Sequence, residues 1–98
     1  MKWVVQFPGR TAKQVKALPE PLRQAVRTLA LEIAVSGPAR ANWANYGKIK
    51  GKTNCHHCHL RKGNPTYVAV WQVVNQKERI VEFRYVGTHE KADYGRLC

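Results

Sequence analysis

The sequence predicts an α+β domain, two N-terminal helices packed on a small antiparallel sheet in the order β-α-α-β-β-β. Three observations carry this. Apolar residues recur at helical spacing from Leu22 to Ile33, and three β-like segments follow Cys55. Pro8-Gly9, Pro19 and Gly37-Pro38 punctuate the N-terminal half. Finally, 98 residues, 44% of them hydrophobic, suit one domain spanning 1–98 with a modest core. No repeat, low-complexity tract or domain boundary interrupts it.

The elements follow in order. Residues 2–7, rich in Val, Trp and Phe, predict a first strand closed by Pro8-Gly9. Thr11 suits the cap of a short helix over 12–18, which stops before Pro19. Pro21 fits the first turn of a longer helix over about 20–36. There Leu22, Val26, Leu29 and Ile33 form one apolar stripe, with Arg23 and Arg27 off it. Gly37-Pro38 ends that helix. Residues 39–54 form a polar connection, with Trp43 expected as its packing anchor. Strands are expected over 55–61, 67–74 and 79–86, joined by "RKGNPT" and "NQKE" as short hairpin links. The remainder, "GTHEKADYGRLC", is polar.

Charge is the unusual property. Seventeen Lys and Arg against six Asp and Glu give a formal net charge of +11. Such a balance fits a polyanionic partner. No acidic residue lies between Glu32 and Glu78, whereas Arg40, Lys48, Lys50, Lys52, Arg61, Lys62 and Lys77 all do. That basic stripe would attract phosphates, or an acidic protein partner. The N-terminal apolar run breaks at Pro8-Gly9, too early for a signal peptide or a membrane span. A cytoplasmic protein with no membrane association is therefore expected, with its three cysteines reduced.

The segment "NCHHCHLRKG" is where chemistry concentrates. Cys55-His56-His57-Cys58-His59 fits the pattern for covalent haem attachment, and Cys-x-x-Cys is half of a zinc knuckle. A strand argues against both. Alternate side chains take opposite faces, so Cys55, His57, His59 and Arg61 share one face and His56, Cys58 and Leu60 the other. The two cysteines then point apart, no second Cys-x-x-Cys exists, and Cys98 stands alone. No metal and no cofactor is expected. Cys58 and Leu60 become core residues. His57, His59 and Arg61 form an open basic face, with neighbours about 7 Å apart.

Several fragments, in order, resemble the RelE/HigB branch of the RelE/ParE toxin superfamily over almost the whole length. They are "LPEPLRQAVRTLALEIAVSGP", "NYGKIKG", "HCHLRKGNPTYVAVWQV" and "VEFRYVGTHEKADY". The resemblance implies a RelE-like fold. It also implies the toxin of a type II toxin–antitoxin system, an endoribonuclease (mRNA interferase) that inhibits translation. Its implied partners are messenger RNA, the ribosome at the A site of the small subunit, and a silencing antitoxin. Carried over by position, His57 and His59 match two basic residues of the second strand, and Arg61 a cation two places on. His89 matches an Arg or His after the Val-Gly turn. Tyr94 resembles the tyrosine that packs on the substrate base or assists catalysis. Two departures stand out. Val68 occupies a position where several relatives carry arginine, so Arg84 or Lys62 would have to compensate. The spacing from Gly87 to Tyr94 is one residue shorter than in some members, which bears on where Tyr94 reaches.

Metal-free RNA cleavage needs a base for the 2′-hydroxyl, an acid for the leaving 5′-oxygen, and cations at the phosphorane between them. Histidine can take either proton role near neutral pH. His57, His59 and His89 are the candidates for proton transfer. Arg61, Arg84, Lys48, Lys50, Lys52, Lys62 and Lys91 are the candidates for phosphate contact. The product would carry a 2′,3′-cyclic phosphate. Tyr46, Tyr67 and Tyr94 could stack on splayed bases, whereas Trp71 and Phe83 read as sheet packing. Two other classes compete: a ParE-like non-nuclease toxin acting on DNA gyrase, and a basic RNA-binding domain without cleavage. The three histidines together with Tyr94 are the feature a gyrase binder has no evident use for.

Overall fold

The computed structural model describes residues 2–98. The chain runs β1 (Val4–Gln6), α1 (Gly9–Lys16), α2 (Glu20–Ser36), β2 (Gly47–Lys48), β3 (Cys55–Arg61), β4 (Tyr67–Asn75) and β5 (Ile80–Thr88). A 3₁₀ turn (His89–Lys91) and a one-turn helix α3 (Tyr94–Leu97) complete it. One five-stranded sheet has the order β1-β5-β4-β3-β2.

The α+β class, both N-terminal helices and the three long strands agree with the sequence reading. The sheet differs from it in being mixed. β3, β4 and β5 are antiparallel neighbours, but β1 pairs parallel to β5, Val5 opposite Val81. β4 already fills one edge of β5, and two helices carry the chain away from β1 before the other strands form. A pairing between such distant segments leaves no local pattern to read. β2 was equally hidden, because Gly47 and Lys48 lie in a polar connection.

α1 begins at Gly9, earlier than Thr11 would set it as a cap. The Thr11 side chain is buried and donates to the Phe83 carbonyl at 2.8 Å. Gln14 accepts from the Val86 N–H at 3.1 Å, so two polar side chains tie α1 to β5. α2 ends where Gly37 adopts φ +96° and its N–H donates to the Ile33 carbonyl at 2.8 Å. The positive φ suits glycine.

The sheet has two dissimilar faces. On one, the α2 stripe of Leu22, Val26, Leu29 and Ile33 packs against Cys58, Ala69, Trp71, Phe83 and Val86. Each such aliphatic side chain contributes about 1.5–3 kcal/mol by leaving water. On the other, Ile49, Cys55, Val68, Val70 and Tyr85 form a smaller cluster, roofed by Ala92, Tyr94, Leu97 and Cys98. The polar tail therefore supplies a short roof over the second face. Trp43 does anchor the connection, packing on the main core and donating from Nε1 to Glu32 at 2.9 Å.

Candidate active site

β3 is a strand, and its alternation sorts the cysteine–histidine cluster. His56 and Cys58 face the helices, whereas Cys55, His57 and His59 face the roof. His56 is a structural residue. Its ring stacks on Trp71 and its Nδ1 shares a 2.8 Å hydrogen bond with the Tyr46 hydroxyl. Burial, with Lys48 and His57 adding positive charge, lowers its pKa to about 4. Tyr46 is thus engaged in packing rather than offered to a base. Burial pushes the Cys58 thiol up to about 12, which makes it an inert core group.

On the roof side, four rings gather. His57 lies 5.2 Å from Tyr94 between ring centroids, His59 lies 5.8 Å from His89, and His89 lies 6.2 Å from Tyr94. Tyr94 therefore reaches the histidines despite the short spacing from Gly87. Three buried polar atoms in this group have no hydrogen-bond partner: His57 Nδ1, His59 Nδ1 and the Tyr94 hydroxyl. Each such group costs about 1–3 kcal/mol when left unpaired. Three in one place leave hydrogen-bonding capacity for water or a ligand to take up. Burial, with His59 and His89 nearby, holds His57 below the ordinary imidazole value. Burial, with His89 and Lys62, does the same for His59. Both rings are then neutral at pH 7 and able to accept a proton. Burial also raises the Tyr94 phenol, which keeps its proton available for donation.

Glycines the sequence reading passed over shape this site. Gly47 pairs with His57, and a Cβ there would lie 3.3 Å from His57 Nε2, so the missing side chain gives the ring its berth. The Tyr85 hydroxyl lies 2.6 Å from where a Gly87 Cβ would sit, and it donates to the Thr88 carbonyl at 2.7 Å. That contact fixes the end of β5 immediately before His89.

The cations are less concentrated than the sequence suggests. Arg61 does not share the face of His57 and His59. A bulge between His59 and Arg61 sets Arg61 opposite Tyr67, on the helix side, with its guanidinium 5.6 Å from the Tyr67 ring centre. The added residue reverses the alternation that a regular strand would keep. Tyr67 is thereby paired with Arg61 rather than free to stack on a base. Val68 is fully buried beneath the roof. Arg84 is held by Gln72 at 2.8 Å and by Glu82 at 2.5 Å. Lys48 pairs opposite His56, away from the roof, and Lys50 and Lys52 lie in the turn that follows. Lys62 is near enough to act on His59, and Lys91 follows His89 in the 3₁₀ turn; both are exposed.

The cysteines depart furthest from expectation. Cys55 and Cys98 are joined in a disulfide, with Cα atoms 6.3 Å apart, and Cys58 alone is free. Their 43-residue separation gave no sequence signal, because only folding the roof onto β3 brings them together. Among the described residues, no group of three or more His, Cys, Asp or Glu side chains is placed to hold a metal ion. Likewise none of the described helices is long and apolar enough to cross a membrane.

No protein-family model matches the sequence, and no curated protein does. Solved structures do. A mutant of the Escherichia coli toxin RelE in the free state superposes with a TM-score of 0.75 at 24% identity, over 97% of this chain and 92% of that one. The intact E. coli RelBE toxin–antitoxin complex matches with a TM-score of 0.70 at 25% identity, over 93% and 98%. The chain has the RelE fold along nearly its whole length, as the sequence resemblance implied.

Proposed function

We propose that this chain is the toxin of a type II toxin–antitoxin pair and acts in the cytoplasm as an endoribonuclease. It cleaves messenger RNA at the ribosome with its own histidines and without a metal. The observation that carries this reading is the gathering of His57, His59, His89 and Tyr94 on one sheet face, with three of their polar atoms buried and unpartnered. A 2′-hydroxyl and a phosphodiester can supply the missing partners. A neutral His57 or His59 takes the 2′-hydroxyl proton, and the oxygen attacks the adjacent phosphorus to form a 2′,3′-cyclic phosphate. A proton donor on the roof, Tyr94 or His89, gives its proton to the leaving 5′-oxygen. Lys62, whose charge acts on His59, is the cation to carry the phosphate charge.

A toxin must be held silent, and the other face of the molecule offers a seat for that. A groove of about 540 Å³ between α1, α2 and β1 is lined by Val5, Phe7, Val15 and Leu31, with Lys16 and Arg27 among its lining residues. It suits an apolar segment with acidic edges, as an antitoxin would present. Incubating the purified protein with translating ribosomes and mapping new 5′ ends tests the whole reading. Cuts within messenger RNA are expected. Intact message with inhibited gyrase would establish the ParE-like alternative, and intact message that is merely bound would establish an RNA-binding domain.

A further inference from the structure

We propose that the Cys55–Cys98 bridge is a redox latch that positions Tyr94 over His57: the site works while the pair is oxidised, and a reducing cytoplasm disables it by opening the bridge. The proposal rests on the reading of the histidine face as a ribonuclease site. Tyr94 is carried by α3, a helix of four residues with no side-chain hydrogen bond at its N-cap. One turn does not hold itself together, since nucleating a helix fixes several residues for a single hydrogen bond. Its place is therefore set by what it docks on.

The spacings of the two elements explain why a bridge at this point aims Tyr94. Tyr94 and Cys98 are four apart on a helical turn, so they project to the same side about 6 Å apart. Cys55 and His57 are two apart on β3 and share a face about 7 Å apart. The two steps nearly match, so joining Cys98 to Cys55 lays Tyr94 beside His57, where its ring is found at 5.2 Å. Cys55 is fully buried among Ile49, Val68, Val70 and Tyr85, and Leu97 closes over the same cluster. The strand half of the latch is held in the sheet between β2 and β4, and the half released when the bridge opens is the turn bearing the phenol.

Opening the latch breaks the S–S bond and consumes two electrons and two protons. A dithiol reductant supplies both and leaves as its own cyclic disulfide, and Cys55 and Cys98 become thiols. α3 then keeps only the apolar contacts that Tyr94, Leu97 and the Cys98 side chain make with the cluster, and without the covalent tie these do not fix the register of Tyr94 on β3.

The test uses the full chain in oxidised form, after dithiol reduction, and as the Cys98→Ser variant. Thiol titration in denaturant should find one thiol in the oxidised protein and three after reduction. Cross-peaks between Tyr94 and His57 ring protons should be present in the oxidised protein and lost in the other two. Those between His56 and Trp71 should persist in all three and show that the core is intact. Message cleavage should fall about ten- to a hundredfold in kcat, with KM within about twofold, and Cys98→Ser should be indifferent to reductant. Should Cys98→Ser fail to fold, the reduced wild type and its recovery on reoxidation carry the same comparison. Three thiols in the oxidised protein, Tyr94–His57 cross-peaks that survive reduction, or an unchanged kcat would each overturn the latch. A chain that cleaves nothing in any form would sink the ribonuclease reading, while the cross-peaks alone still decide whether the bridge positions Tyr94.

Discussion

The two roles of histidine in one short strand separate by face. His57 and His59 keep unpartnered nitrogens on the roof side, so His57→Ala or His59→Ala should lower message cleavage by about 10² or more, with the fold intact by circular dichroism. Their pKa values lie below the ordinary imidazole value. The proton-accepting form is therefore full near pH 7 and is lost as pH falls through those lowered values. Cleavage rates measured from pH 8 downward should decline on that acid limb, and a rate that rises there would remove both histidines from the base role. His56 has a different consequence. Its pKa is about 4 in the fold and about 6.5 when unfolded, so below 6.5 the unfolded chain takes up the proton first. The neutral ring's contribution is complete above that value and fades as pH falls towards 4, by about 2–3 kcal/mol over the window. Urea unfolding at pH 7 and pH 4.5 measures it. A Tyr46→Phe variant leaves Nδ1 of His56 without its partner and should cost about 1 kcal/mol at pH 7.

Elements fix which side chains meet, and here two glycines and one bulge decide. Gly47→Ala should press on His57 Nε2 and shift that ring, with cleavage reduced while stability changes by less than about 1 kcal/mol. Gly87→Ala meets the Tyr85 hydroxyl and should destabilise by about 1–3 kcal/mol. Thermal melts and rates together distinguish the two. Much of this scale was legible in the sequence. The apolar stripe of α2 ran at helical spacing, and the β-like segments of β3, β4 and β5 were each followed by turn residues, so all four were found. Alternation alone placed His57 and His59 together and His56 and Cys58 behind them. Four things were not legible, each for a physical reason, β2 among them because Gly47 and Lys48 lie in a polar connection. The bulge turns Arg61 to the Tyr67 side, and an inserted residue looks like any other until the register is seen. β1 joins β5 in parallel across most of the chain length. Cys55 and Cys98 meet because a one-turn helix lies on a strand, and neither element announces the other. The three-thiol expectation failed there.

For the whole molecule the governing quantity is a formal net charge of +11. Charge of this size speeds encounter with a polyanion or an acidic protein more than it deepens affinity. Capture by an acidic antitoxin should therefore slow as salt is raised from 50 to 300 mM (roughly a Debye length of 14 to 6 Å), with dissociation changing much less. An association rate indifferent to salt would mean that apolar contacts alone guide the antitoxin, without the charges of Lys16 and Arg27 at the groove. The sheet carries His57 and His59 on one face and the helices, with that groove, on the other, so the proposed cleavage and silencing would use separate surfaces. The central claim is that side chains alone cut RNA here, and the chemistry of the new 3′ ends tests it most directly. Wild type and His57→Ala should be incubated with translating ribosomes treated to exchange away every metal but magnesium, and the 3′ termini at mapped cuts analysed. Wild type should leave 2′,3′-cyclic phosphates that His57→Ala does not; 3′-hydroxyl termini, or equal cutting by both proteins, would contradict it.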